Sequence, residues 1–209
     1  MKSRIALPTV WHFAALMVVV SNIALAQVSR GDKFLGGTLG LSTQDAPDSP
    51  NGGLTPEVRS FSIYPSMGFL VSDNLAIGGQ LGYYMYSNKS SGNYDFHSHY
   101  FSIGIFTKRY FPISDSFLFT LTGTFQFRRG SEVYNDTAGQ PLTESQLYDL
   151  SIGIRPGFLF FPSSHWGIEA SIGTISYVYR SNLSTENTSN NFDLNYGIFS
   201  IGFAYYFRK

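Results

Sequence analysis

From residue 33 onward, apolar and polar residues alternate with a period of two. In 75–87, Leu75, Ile77, Leu81, Tyr83 and Met85 alternate with Ala76, Gly78, Gln80 and Gly82. In 117–129, Phe117, Phe119, Leu121, Phe125 and Phe127 alternate with Thr120, Thr122, Thr124, Gln126 and Arg128. In 192–207, Phe199, Ile201, Phe203, Tyr205 and Phe207 alternate with Ser200, Gly202 and Ala204. Such alternation gives an extended strand one apolar and one polar face. Eight segments show it, at 33–43, 57–71, 75–87, 96–111, 117–129, 146–161, 166–180 and 192–207. All exceed the roughly 5–6 residues of a usual soluble strand. Short turns at 72–74, 112–116 and 162–165 alternate with longer polar loops at 44–56, 88–95, 130–145 and 181–191.

That rhythm, with an even strand count, predicts an all-β fold: an eight-stranded antiparallel up-and-down transmembrane β-barrel with both termini periplasmic. An apolar face this rich in Phe would overfill the interior of eight strands, so it is expected to face lipid. Aromatic pairs near segment ends, such as Tyr110 and Phe111 or Phe160 and Phe161, are expected to form interfacial girdles.

Composition fits this picture. Of 209 residues, 17% are aromatic and 13% charged, about half the charge of an ordinary soluble domain. Mean hydropathy is −0.03, which a wall with one greasy and one polar face averages to. Lys and Arg together equal Asp and Glu at 14 each, leaving no basic footprint for nucleic acid. With no cysteine, disulfides and thiolate chemistry are excluded. At the N-terminus, Lys2 and Arg4 precede an apolar run from Phe13 to Val20 and an Ala24-Leu25-Ala26 cleavage pattern. These predict a secretory signal peptide over 1–26 and one barrel domain over 27–209.

With the apolar parity outward, five charged residues are expected in the lumen: Lys108, Arg128, Asp149, Arg155 and Glu169. Arg128 and Asp149 flank the 130–145 loop at similar distances, so they are expected to pair near the outer mouth. Lys108, Arg155 and Glu169 fall toward the periplasmic half. The lumen of eight strands is just filled by side chains, and isolated buried charges are costly. A salt-bridge network that closes the lumen is therefore expected, with a gate that re-pairs to open a narrow path as the alternative.

His97 and His99 share a face with Phe101, Ile103 and Ile105, and the hairpin register brings them toward Ser131 and Glu132. Serine, histidine and an acid at one edge are the kit for acyl transfer. An amphipathic ring is equally at home at a lipid interface without chemistry, and no third metal ligand accompanies the two histidines. Asn-x-Ser/Thr triplets at Asn88, Asn135, Asn182 and Asn187 suit turns, and Asp136-Thr137-Ala138 resembles a short O-glycosylation acceptor.

Several stretches carry a family likeness: Lys33-Phe34-Leu35-Gly36-Gly37-Thr38-Leu39-Gly40, Phe61 through Phe69, Val71-Ser72-Asp73-Asn74-Leu75-Ala76-Ile77-Gly78, and the closing Ser200 through Phe207. On these the chain resembles the small OmpA/OmpX-type outer-membrane β-barrels, in the version common in Bacteroidota. The final aromatic there usually ends the chain, whereas here Arg208 and Lys209 follow. The resemblance implies a monomeric porin-like cell-envelope protein inserted by barrel-assembly machinery among outer-membrane lipid and lipopolysaccharide. With no catalytic motif and no cofactor, the expected role is structural or adhesive through the outer loops. A narrow gated pore, and more remotely a lipid-modifying enzyme, are the alternatives.

Overall fold

Alternating apolar side chains leave every backbone group free to pair sideways, and eight such segments do so here. The computed structural model describes residues 28–45, 57–89, 95–136 and 140–208. The signal-peptide segment, loop residues 46–56, and Thr137 and Ala138 lie outside the described residues. The strands are β1 (Lys33–Asp45), β2 (Glu57–Ser72), β3 (Leu75–Lys89), β4 (Asp95–Pro112), β5 (Phe117–Asn135), β6 (Pro141–Phe160), β7 (Trp166–Asn182) and β8 (Asn187–Phe207). Each pairs antiparallel with the next, and β8 returns to β1, closing a barrel. Closure removes free sheet edges, the only all-β way to satisfy the backbone in lipid.

One end of the barrel, here the turn end, holds the three short connections. Neighbouring turns are tied by backbone hydrogen bonds: Tyr110 N to Asn74 O at 2.8 Å, Phe161 N to Ser116 O at 2.8 Å and Tyr206 N to His165 O at 2.7 Å. Residues before β1 join them, with Gly31 N donating to Leu70 O and Leu70 N to Asp32 O at 2.9 and 2.8 Å.

At the opposite, hairpin end, the strands run further than the alternation suggested. Residues 130–135 and 141–145 continue β5 and β6, and 187–191 begin β8, where polar loops were expected. Ser, Asn, Thr and Glu dominate there, so the period of two has no apolar face to announce it. The ladder nevertheless continues, for example Glu132↔Ser145 and Tyr179↔Asn190. β1 meets β8 only from Lys33↔Phe207 to Thr38↔Gly202. Beyond that, β8 runs with β7 alone, and Asn187–Asn195 are exposed on both faces. The wall therefore loosens toward the hairpin end.

The outward face is apolar: Phe101 is 66% exposed, Ile105 65%, Ile152 60% and Ile201 57%. A continuous outward face of exposed apolar residues marks contact with lipid or a partner. Two irregularities interrupt the wall beside the lumen site. The β6–β7 register shifts between Ile154 and Gly157, and the β7–β8 register between Ser171 and Gly173. Gly173 has φ 142°, a backbone conformation that side-chain-bearing residues rarely adopt. The extra β7 residue reverses which side chains point inward: Glu169 and Ser171 line the interior below it, Thr174, Ser176 and Val178 above it.

Candidate lumen site

The inward face falls into three layers. At the turn end the interior is apolar, contrary to the expectation that aromatics all face lipid. Phe34, Leu70, Ala76, Phe106, Tyr110, Leu118, Leu159, Phe161 and Tyr206 form one buried cluster. Tyr206 and Leu159 are 0% exposed, and Tyr110, expected in a girdle, is 1% exposed. The Tyr206 ring stands 5.2 Å from that of Phe34 and 5.0 Å from that of Phe161, while its hydroxyl lies 3.3 Å from that of Tyr110. Sequence reasoning missed this plug, although a signal existed. At the turn end apolar residues come in consecutive pairs, such as Phe34-Leu35, Phe69-Leu70, Tyr110-Phe111 and Leu159-Phe160. Where alternation fails in that way, both faces are apolar. Arg208 caps the plug, its guanidinium 4.8 Å from the Phe161 ring centroid.

The middle layer is a polar chamber of about 520 Å³. Eight strands normally leave an interior just filled by side chains, but here the inward residues are short: Ser66, Thr120, Thr122, Thr124, Ser151 and Gly153. At its floor, Lys108 Nζ donates to both carboxylate oxygens of Glu169, at 2.6 and 2.7 Å. The same ammonium stands 5.2 Å from the Phe34 ring and 5.8 Å from that of Phe106, so it seals the plug from above. Arg155 also lines the chamber, and it forms neither an ion pair nor a hydrogen bond with any described residue. The five lumen residues read from the sequence thus do not form one network. They divide into a lower pair, an upper cluster and Arg155 between, within electrostatic reach of Glu169 but without direct contact.

The upper layer is that cluster. Arg128 and Asp149 are directly opposed on the β5–β6 ladder and joined as an ion pair, with Arg128 Nε donating to Asp149 Oδ2 at 2.8 Å. Asp149 is 2% exposed and takes a second cation, Arg180, whose Nε lies 3.0 Å from Oδ1. Arg180 was missed because extrapolating the parity of Glu169 along β7 points it at lipid; the Gly173 irregularity turns it inward. The Arg128 guanidinium stands 4.6 Å from the Tyr100 ring centroid, and the Tyr100 hydroxyl donates to Glu132 Oε1. An unbroken polar chain therefore links Asp149 to Glu132 at the hairpin end.

The serine, histidine and acid do not assemble. His99 stands opposite Ser131 on the ladder, but Glu132 belongs to the other parity, opposite the buried Ser98. His99 faces outward with Phe101, and its Nδ1 lies 3.0 Å from the Tyr83 hydroxyl. Glu132 faces inward on Tyr100. The wall of the sheet separates the acid from the other two groups. His97 pairs across from Val133. Among the described residues, no three of His, Cys, Asp and Glu gather as a metal site.

Residues 13–207 match the family described as outer membrane protein beta-barrel domain. The matched span begins inside the segment read as a signal peptide. The crystal structure of Ail, the attachment invasion locus protein of Yersinia pestis, aligns with a TM-score of 0.46 at 16% identity, over 85% of this chain and 99% of that one. The beta domain of the Bordetella autotransporter BrkA aligns with a TM-score of 0.24 at 10% identity, over 85% of this chain and 98% of that one. No curated protein sequence matches the chain.

Proposed function

This chain belongs to the outer membrane protein beta-barrel domain family, and from that membership we propose that it serves the bacterial outer membrane as a structural and surface-interaction protein acting through its hairpin rim. The carrying observation is strand length. A tilted strand crosses a bilayer in about 9–11 residues, whereas β5, β6 and β8 have 19, 20 and 21. The surplus lies at the hairpin end, where β5–β6 and β7–β8 stand as paired sheet. On this reading the hairpin end faces outward and the turn end, with both termini, faces the periplasm. The rim carries apolar side chains among its polar ones: Tyr134, Leu142, Leu183, Phe192 and Leu194 are all exposed. Such groups on a rigid support suit protein or glycan contact. The barrel acts as a monomer among outer-membrane lipid and lipopolysaccharide, with β8 as the strand that assembly machinery engages.

The test replaces 131–144 with a short turn and compares cells displaying the two forms for adherence to immobilised extracellular-matrix protein and for detergent sensitivity. The trimmed form keeps its heat-dependent gel shift and loses adherence or envelope protection. Cells indistinguishable from an empty-vector strain on both measures, with folded wild-type barrel present, contradict the proposal.

The chamber favours a second reading, a narrow gated pore. Conduction would require the plug around Tyr206 to move, since it fills the turn end. Discrete conductance from purified folded barrel in planar bilayers supports this reading, and silent bilayers sink it.

A further inference from the structure

The central chamber contains more cationic capacity than its carboxylates use. Lys108 engages both oxygens of Glu169, and Asp149 is shared by Arg128 and Arg180. That leaves Arg155, a guanidinium that stays charged at any accessible pH, directed into a cavity of about 520 Å³ with no direct ion pair or hydrogen bond among the described residues, Glu169 and Tyr64 acting on it only at longer range. The remaining acid on the chamber wall, Asp193, is on the exposed outer half of β8 and forms no ion pair with a described residue. Burying a cation in the middle of a membrane without a carboxylate in direct contact is costly unless water or a counter-ion accompanies it.

The geometry around Arg155 suits a counter-ion. On β5 its ladder partner is Thr122, flanked on the inward face by Thr120 and Thr124. On the β7 side, the ladder skips from Ile154 to Gly157, so the wall opposite Arg155 is widened. Ser171 and Ser200, whose hydroxyls lie 2.5 Å apart, close that side. The volume exceeds that of one water, about 30 Å³ in the liquid, many times over. Hydroxyls supply donors that turn toward an anion, and a guanidinium presents a planar fork that matches two oxygens of an oxyanion. The route in is from the hairpin end: β1 and β8 part above Thr38 and Gly202, the guanidinium groups of Arg128 and Arg180 stand on that side of the chamber paired to Asp149, and the turn end is sealed by apolar side chains.

We propose that the lumen is a binding chamber for a small oxyanion, of phosphate, sulfate or carboxylate size, held by Arg155 with the Thr120, Thr122 and Thr124 hydroxyls and entered from the hairpin end. The proposal depends on the barrel and its chamber and is independent of any role for the rim. Bulky ligands are excluded by the strand count. Chloride lacks the second oxygen that the fork engages, so it binds more weakly at equal ionic strength.

The test is isothermal titration of the folded full-length barrel in detergent micelles with sodium sulfate, and separately with inorganic phosphate, against sodium chloride at constant ionic strength. One saturable site per barrel for sulfate or phosphate is expected. Arg155→Gln, checked for folding by its gel shift, weakens binding by at least about tenfold, the order expected on losing a charge-assisted contact. Asp193→Asn, removing a competing negative charge, tightens it. If Arg155→Gln does not fold, Thr122→Val with Thr124→Val, which keeps volume and charge, is expected to weaken binding without altering the shift. No saturable heat with the wild-type barrel, or unchanged binding in the folded Arg155 or threonine variants, overturns the proposal.

Discussion

The two ends of the lumen are built from opposite materials. At the turn end, Phe34, Tyr110, Leu159, Phe161 and Tyr206 pack as a dry core. At the hairpin end, Arg128, Asp149, Arg180, Tyr100 and Glu132 form a polar chain that reaches the rim. Inward-facing positions of one barrel supply both, β4 giving Tyr110 to the first and Tyr100 to the second and β6 giving Leu159 and Asp149, so topology does not set the difference; the residues do. Aromatic rings exclude water and stabilise without needing partners. Charges must be satisfied one by one, and among the described lumen residues Lys108, Arg128 and Arg180 each touch a carboxylate whereas Arg155 feels Glu169 only at longer range. The barrel is sealed at one end by packing and lined toward the other by ion pairs around an open chamber.

That contrast can be broken from the plug outward. Tyr206→Ala removes a fully buried ring from the centre of the turn-end cluster. Its expected cost is about 3–5 kcal/mol, the range for large aromatic truncations in a core, read by urea unfolding in lipid vesicles. A cost below about 1 kcal/mol would show that the plug is not a packed core. Next comes the floor of the chamber. Glu169→Gln strands the Lys108 ammonium, whose side chain is 8% exposed, and is expected to cost about 3 kcal/mol. The double change Lys108→Met with Glu169→Leu should recover most of that, because it extends the dry core by one layer. Failure of the double change to recover would mean that the ion pair, not burial, holds this layer. The smallest effect is expected at the irregularity between the two regimes. Gly173→Ala strains a backbone at φ 142° by about 1–2 kcal/mol, and the loss of Arg180 from Asp149 should follow as a weaker dependence of stability on Arg180→Gln.

Much of the fold was legible in the alternation because a lipid-facing wall repeats every second residue along most of each strand. Leu81, Ile103, Ile105, Phe125 and Ile152 face outward as their parity required. Legibility failed where that rule lapses. Toward the hairpin end, no apolar face marks β5 past Arg129 or β6 before Gln146, and only the hydrogen-bond ladder reveals strand there. At the turn end both faces are apolar, so parity could not separate the plug from the girdle. In β7 one inserted residue near Gly173 reversed inside and outside, concealing Arg180 while leaving Glu169 correctly placed. The ladder opposition of Arg128 and Asp149 could be counted from the hairpin, whereas the isolation of Arg155 depends on who its neighbours engage across four strands. The candidate acyl-transfer group looked plausible by ladder position alone; Glu132 is one residue from Ser131 and therefore on the other side of the wall.

The absence of native cysteine makes the central claim directly measurable, since any introduced thiol reports alone. Thr124→Cys places one in the chamber wall, and Leu159→Cys places one in the plug. On folded barrel, a small charged thiol reagent is expected to label the Thr124 variant within minutes and to leave the Leu159 variant unlabelled until the barrel is boiled. Equal labelling of both in the folded state, or protection of both, would contradict a lumen that is hydrated at its centre and sealed at its turn end.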